Sequence, residues 1–247
     1  MTTSMSSAAS RRALGIVPAR KGSKGIPGKN VQDLGGRPLV QHTLEAARAA
    51  KGLAWTLVTS DDPAVLELAE AAGLRTLERP DSLATDDASM SDVVSHALSW
   101  AEQNLGVVDD LVLLQPTSPF RTAVDVDNAL VAYSASASES LISVCVVTQH
   151  PMECLLLDER GQAHPVETSP VVTGGGRQRY PRCYFIDGGI YITSVERFRR
   201  TGTFSDKASA LYEIPRSHGL DIDHPFDLAV ARALAAYSKT FPEVFTL

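Results

Sequence analysis

The chain has 247 residues, of which 44% are hydrophobic, and a formal net charge of -6 at pH 7. That length and apolar content suffice for one substantial core, or one core with a small appendage. The acidic balance argues against a nucleic-acid binder, which carries a basic face, and no apolar run approaches the roughly 20 residues that cross a bilayer.

Residues 1–12 are dominated by Ser, Thr and Ala and read as a disordered lead-in to one domain spanning 13–247. The Arg11-Arg12 pair is followed only by Ala13 to Val17 before a proline and two cations, too short an apolar stretch for an export signal. Cys145, Cys154 and Cys183 are odd in number and lack metal-ligand spacing, which fits reduced thiols in a cytoplasmic protein. Residues 14–19 form a largely apolar run that predicts a buried first strand. It opens into a loop holding three glycines, one proline and the cations Arg20, Lys21, Lys24 and Lys29. Glycine lets a backbone approach a ligand closely, and successive N–H groups in such a turn make an anion-binding concavity. Four cations there, in an acidic chain, point to a polyphosphate; the plainer alternative is a solvated basic loop. Position favours the ligand, because open α/β sheets bind at the carboxyl ends of their strands. A P-loop is not the answer: counting back from Lys29 puts Ser23 where the first glycine belongs, and Asn30 where the magnesium-binding hydroxyl belongs.

Farther along, residues 38–50 read as a helix, with proline in its first turn and Val40, Leu44 and Ala47 at helical spacing. Residues 55–59 are a buried strand, and Asp62-Pro63 caps a helix reaching about residue 72. A short strand at 75–78 and a loop through Arg79 and Ser89 precede an amphipathic helix over 92–103. Residues 110–115 are another buried strand, followed by the rigid loop 116–121 and a helix over 124–134. Regular alternation predicts a mainly parallel sheet flanked by helices. The pattern then changes. A strand over 141–148, a hairpin around 150–161, a Thr/Gly-rich loop at 173–176 and a strand over 184–193 suggest a β-rich insertion at about 148–187. A strand at 210–214, the segment Leu220-Asp221-Ile222-Asp223 and a helix over 225–238 close the chain. Side chains two apart in an extended segment share a face, so Asp221 and Asp223 form either a magnesium-binding pair or a polar strand end before a helix.

Pro18-Ala19-Arg20, Ser23-Lys24-Gly25, Pro27 and Lys29-Asn30 together resemble the N-terminal signature of the CMP-sugar synthetases, the acylneuraminate cytidylyltransferase family. Three further stretches match in order: Arg79-Pro80 with Leu83-Ala84, Asp86 and Ala88-Ser89; Leu114-Gln115-Pro116-Thr117-Ser118-Pro119 with Arg121; and Asp221-Ile222-Asp223. The resemblance covers about residues 14–236. It implies a Rossmann-like nucleotidyltransferase fold and the reaction of CTP with a 2-keto-3-deoxy sugar acid to give a CMP-sugar and pyrophosphate. It also implies Mg2+, with Mn2+ as a substitute, and a homodimer whose insertion reaches the partner's active site. On the same resemblance, Ala19, Arg20, Ser23, Lys24, Gly25, Lys29, Asn30, Arg79, Ala88, Ser89 and Gln115 bind CTP. Gln115, Thr117, Ser118, Arg121, Arg177, Gln178, Asp187 and Tyr191 face the sugar, and Asp221 and Asp223 hold the metal. Arg20, Lys29, Asp221 and Asp223 carry catalysis.

Three departures stand out. Met90 follows Ser89 where a second small hydroxyl residue is common. Asp187 stands where the family has Asn, and Glu153 lies where some relatives carry lysine. Either these acids pair with Arg177, Arg179 or Arg182, or the acceptor carries an amine. Alternatives to the main reading are another acceptor (an octulosonate or a phosphonate), a GT-A-type glycosyltransferase using the Asp221/Asp223 pair, and a silent nucleotide-binding protein. The six histidines show no ligand spacing.

Overall fold

The structure, a computed structural model, describes residues 11–166 and 180–240. The described residues reach into the predicted lead-in: Arg11 is bonded to Asp110, and the Arg12 backbone N–H donates to Asp109 at 2.8 Å. β1 (Ala13–Pro18) is buried along its whole length. α1 (Leu39–Ala49) buries Val40, Leu44 and Ala47, the positions that the helical spacing selects. β2 (Leu53–Ser60) leads to Asp62, whose carboxylate accepts from the Ala64 N–H and caps α2 (Pro63–Ala71). After β3 (Arg75–Glu78) comes a single helical turn, α3 (Asp81–Ala84), too short to leave a periodic signal. α4 (Met90–Asn104) starts two residues earlier than predicted because Ser89 supplies its cap. β4 (Asp110–Leu113) is followed by α5 (Ala123–Ala135), which opens on a Thr122/Asp125 capping box.

β5 (Ser140–Val146) runs out to a separate hairpin of β6 (Leu155–Leu157) and β7 (Ala163–Pro165), which lies within the predicted insertion. β8 (Tyr184–Ser194) returns and passes directly into α6 (Val195–Thr201), which the sequence pattern did not reveal. β9 (Ala210–Glu213) and α7 (Pro225–Thr240) complete the chain. The sheet order is β3-β2-β1-β4-β8-β5-β9. All neighbours pair in parallel except β8, which is antiparallel to both β4 and β5. A direct return from the insertion can only pair antiparallel, since a parallel one needs a full crossover. This reversal brings the start of β8 to the carboxyl ends of its neighbours, where the sequence features gather.

Apolar packing covers both faces of the sheet. Val17, Val40, Leu44, Val126 and Ile190 belong to one cluster, and Leu14, Ile16, Leu57, Val94 and Phe198 to the other. A third cluster is smaller and positions the site. It joins Ile26 of the basic loop and Ile222, between the two aspartates, to Leu228 and Ala231 of α7. No helix among the described residues is long and apolar enough to cross a membrane.

Candidate active site

The carboxyl ends of β1, β3 and β4 and the segment before α7 surround one cleft of about 290 Å³. Arg20, Ser23, Lys29, Asn30, Arg79, Gln115, Thr117, Asp221 and Asp223 line it, as the sequence groups them. A larger and more apolar groove, about 810 Å³, lies between the end of β5, Phe185 and α7, and no carboxylate lines it. Its size does not make it the reaction site, because the cations and paired acids are in the smaller cleft.

The basic loop is held from several sides. Ala19 N–H donates to Thr59 O at 3.0 Å, and the Asn30 side-chain amide donates to Arg20 O at 2.9 Å. Lys29, with only 15% of its side chain exposed, donates to Ile222 O at 3.0 Å and reaches Asp223 at 3.4 Å. Gly25 does not line the cleft; it permits a different close approach. A Cβ there would sit 2.4 Å from the carbonyl oxygen of Asp223, a backbone contact that no rotamer relieves. We expect Gly25→Ala to push the basic loop off the Asp223 segment and to lower kcat/KM about tenfold. Kinetics beside a melting curve check this, and an unchanged kcat/KM refutes it.

Ile222 is fully buried and its N–H donates to Thr117 O at 2.9 Å. With Ile222 turned inward, the carboxylates on either side of it face the cleft. Asp221 Oδ1 is buried with no hydrogen-bond partner. Burial pushes the Asp221 carboxyl up, the Thr117 hydroxyl opposes this, the Asp223 charge adds to it and Lys29 opposes it. A partnerless buried carboxylate oxygen beside a second, exposed carboxylate fits a magnesium ion, which takes one or two carboxylates and completes its shell with water and phosphate oxygens. Among the described residues no cluster of three or more His, Cys, Asp or Glu forms an all-protein cage.

At the other end, Arg79 is buried, donates to Thr59 O at 3.1 Å and leaves its Nε without a partner. Burial pulls its pKa down. Asp86 is not paired with Arg79; it bridges Arg20 at 2.5 Å and Lys24 at 3.3 Å. Arg20 holds the Asp86 carboxyl below its usual range. Ala19 is buried, and neither it nor Lys24 nor Ala88 lines the cleft. Ser89 caps α4 and is likewise absent from the lining, whereas Pro18, Gly22, Met90 and Pro116 are part of it. The only sequence signal for Met90 is its departure from the family pattern.

Several predicted sugar-facing residues lie inside the scaffold instead. Arg121 is fully buried and donates to Gln115 O, Gly189 O and the Thr43 hydroxyl. Burial lowers its pKa to about 10. Ser118, also buried, donates to Asp187 O at 3.3 Å. Asp187 accepts from the Ser143 hydroxyl and the Gly189 N–H, both at 2.6 Å. Burial pushes its pKa up, while these bonds and the Arg121 charge oppose the shift. The expected pairing of Asp187 with Arg182 is absent, because Arg182 bonds Glu213 at 2.7 Å; the electrostatic counterpart of Asp187 is Arg121. Arg177, Gln178 and Arg179 lie outside the described residues. Glu153 ends a short helical turn before β6, away from the cleft. Tyr191 packs edge-on against Phe204, with ring centroids 6.5 Å apart. The strand that carries Asp187 still touches the site through Gly188. Its φ of +74° suits glycine, and a Cβ there would lie 3.3 Å from Asp221 Oδ2 and 3.4 Å from Gln115 Oε1.

Comparison with known proteins agrees with this geometry. The family model described as Cytidylyltransferase matches residues 14–176. The N-acylneuraminate cytidylyltransferase of Streptococcus agalactiae is 31% identical over 84% of this chain and 49% of its own length. The chain thus spans about half of that relative. The CMP-N,N'-diacetyllegionaminic acid synthase of Legionella pneumophila is 30% identical over 90% of this chain and 96% of its own. A CMP:2-keto-3-deoxy-manno-octonic acid synthetase solved with CTP shares the fold, with a TM-score of 0.66 at 21% identity over 92% of this chain and 99% of that one. With its signatures gathered around one cleft and the family model matched over most of its length, the chain belongs to the cytidylyltransferase family.

Proposed function

We propose that the protein joins CTP to a 2-keto-3-deoxy sugar acid, a nonulosonate of the N-acylneuraminate or legionaminate type, giving a CMP-sugar and pyrophosphate. The observation that carries this reading is the single cleft lined by both the Arg20/Lys29 cations and the Asp221/Asp223 carboxylates, one oxygen of which is partnerless. The sugar's C2 hydroxyl attacks the α-phosphorus in line; the new O–P bond forms as the bond to pyrophosphate breaks, and the hydroxyl's proton is released to solvent. No covalent enzyme intermediate is needed, so rate comes from positioning and charge neutralisation. Arg20 and Lys29 hold the triphosphate, and Ser23 assists. Asn30, Arg79 and Gln115 orient the nucleoside, and Thr117 stands with Gln115 at the acceptor end. Asp221 and Asp223 hold magnesium, which when bound neutralises phosphate charge and lowers the pKa of a coordinated hydroxyl.

A homodimer is part of the proposal. Leu155, Leu156 and Leu157 are exposed on the two-stranded hairpin, and Phe185 and Ile186 are exposed near its root. An isolated hairpin is marginally stable in water, and an apolar surface of this kind marks a protein contact. Sedimentation should therefore report a dimer, and Leu156→Asp should shift it toward monomer.

The deciding experiment is pyrophosphate release from CTP with N-acetylneuraminate, legionaminate, pseudaminate, ketodeoxyoctulosonate and a phosphonate as acceptors. Release with a nonulosonate, reduced at least about tenfold by EDTA and restored by Mg2+, is the expected result. Turnover without any added acid, or with none of the panel, overturns the reading.

A further inference from the structure

His218 stands three residues before Asp221 and is buried; it lines neither the cleft nor the apolar groove. Its Nδ1 lies 2.9 Å from Asp125 Oδ2. An ionised carboxylate only accepts, so Nδ1 carries a proton and donates. Asp125 is buried in the first turn of α5. The same oxygen accepts from the Thr122 N–H at 2.8 Å and from the Thr122 hydroxyl at 2.7 Å. Burial works to raise the Asp125 pKa, but His218 and Thr122 outweigh it and hold the carboxyl below its usual range. The capping box is complete with Thr122 and Asp125. His218 is an addition to it from 93 positions away.

The segment carrying the paired acids is thereby laid along the β4–α5 connection at two points. Ile222 N–H donates to Thr117 O at 2.9 Å, and His218 reaches Asp125. One bond would leave the segment free to pivot, whereas two fix its direction as well as its place. Between them Gly219 fits closely: a Cβ there would lie 3.1 Å from the Cys145 Cβ and 3.5 Å from the Asp187 Cβ. A turn bond from the His218 N–H to Pro215 O, 2.8 Å, sets the imidazole at this point of the loop. Magnesium demands nearly ideal octahedral geometry, so a small swing of the backbone entering Asp221 displaces one carboxylate from a shared ion.

We propose that His218 is a positioning residue for the Asp221/Asp223 pair. Its bond to Asp125 fixes the segment entering Asp221 so that both carboxylates meet one divalent ion. This rests on the magnesium-dependent reading above.

The test compares full-length wild type, His218→Leu and His218→Asn, with circular dichroism confirming the fold. Mn2+ is titrated into each without nucleotide, and the free ion is followed by electron paramagnetic resonance. Groups that orient metal ligands are commonly worth 10–100-fold in affinity. His218→Leu fills the space but cannot donate, and is expected to raise the Mn2+ Kd about tenfold. The amide nitrogen of asparagine branches from the same γ carbon as Nδ1, so His218→Asn should return to within about threefold of wild type. Pyrophosphate release at saturating CTP and acceptor is then followed as Mg2+ is varied. In His218→Leu the half-saturating Mg2+ concentration should rise about tenfold, while kcat at saturating Mg2+ falls less than about threefold. An unmoved Mn2+ Kd or half-saturating Mg2+ concentration in folded His218→Leu overturns the inference, as does His218→Asn behaving like His218→Leu. If His218→Leu does not fold, Asp125→Asn decides instead. It keeps an acceptor for Thr122 but removes the charge, and should raise the Mn2+ Kd about threefold; an unmoved Kd there overturns the inference. Mg2+-dependent wild-type turnover with unmoved variants sinks this inference alone. Wild type with neither Mn2+ binding nor Mg2+-dependent turnover sinks the magnesium reading and this inference with it.

Discussion

Replacing Lys29 by methionine is expected to lower kcat/KM for CTP-dependent pyrophosphate release about a hundredfold or more. The ammonium spans the two halves of the cleft, donating to Ile222 O at 3.0 Å and reaching Asp223 at 3.4 Å. In the proposed complex it also meets the triphosphate. Charge-assisted hydrogen bonds contribute roughly 1.5–3 kcal/mol each, and a loss of two of them reaches that factor. Methionine keeps an apolar stem at this mostly buried position. A melting temperature close to wild type, measured beside the kinetics, separates lost charge from lost fold. A kcat/KM within threefold of wild type would remove Lys29 from the machinery.

The second large effect falls on stability. Arg121→Met is expected to lower the melting temperature by about 10 °C. The guanidinium is fully buried and satisfies Gln115 O, Gly189 O and the Thr43 hydroxyl from one side chain. Each acceptor left without its donor costs roughly 1–3 kcal/mol. The buried Asp187 carboxylate also loses the nearby positive charge that opposes its upward shift. In a chain of this size 1 kcal/mol moves the midpoint by about 2–4 °C. Adding Asp187→Asn to Arg121→Met should recover part of the loss, since the double variant buries neither charge. A midpoint within 2 °C of wild type for Arg121→Met would show that the network carries little of the fold's stability. Activity should fall as well, because the clamp ties the Gln115 loop to the Gly188 turn beside Asp221.

The two variants touch residues of one motif class that end in different places. Lys29 and Arg121 are both cations just after buried strands, and both read from the sequence as ligand-binding. Lys29 stays at the cleft because its ammonium donates to Ile222 O and meets a carboxylate that is itself exposed. Arg121 is drawn inward because β8 brings Gly189 O and Asp187 to the same loop. That strand's antiparallel return follows from the insertion, and nothing in the local composition of residues 116–121 announces it.

What the sequence determined by itself was whatever short-range physics encodes. Apolar runs and spacing marked β1, α1 and β4, the cap residue Asp62 marked where α2 begins, and Asp221-Ile222-Asp223 told by alternation that two acids share one face. Four signatures in order also sufficed to identify the family. Tertiary structure alone decided which of those residues meet. It buried Arg121, Ser118 and Asp187, gave Asp86 to Arg20 and Lys24, used Gly25 for the approach of Asp223, and placed Met90 at the cleft. The reason is range: propensity and periodicity act over a few residues, whereas burial and pairing are fixed by contacts such as Lys29 to Ile222, 193 positions apart, which exist only once the sheet has set its strand order.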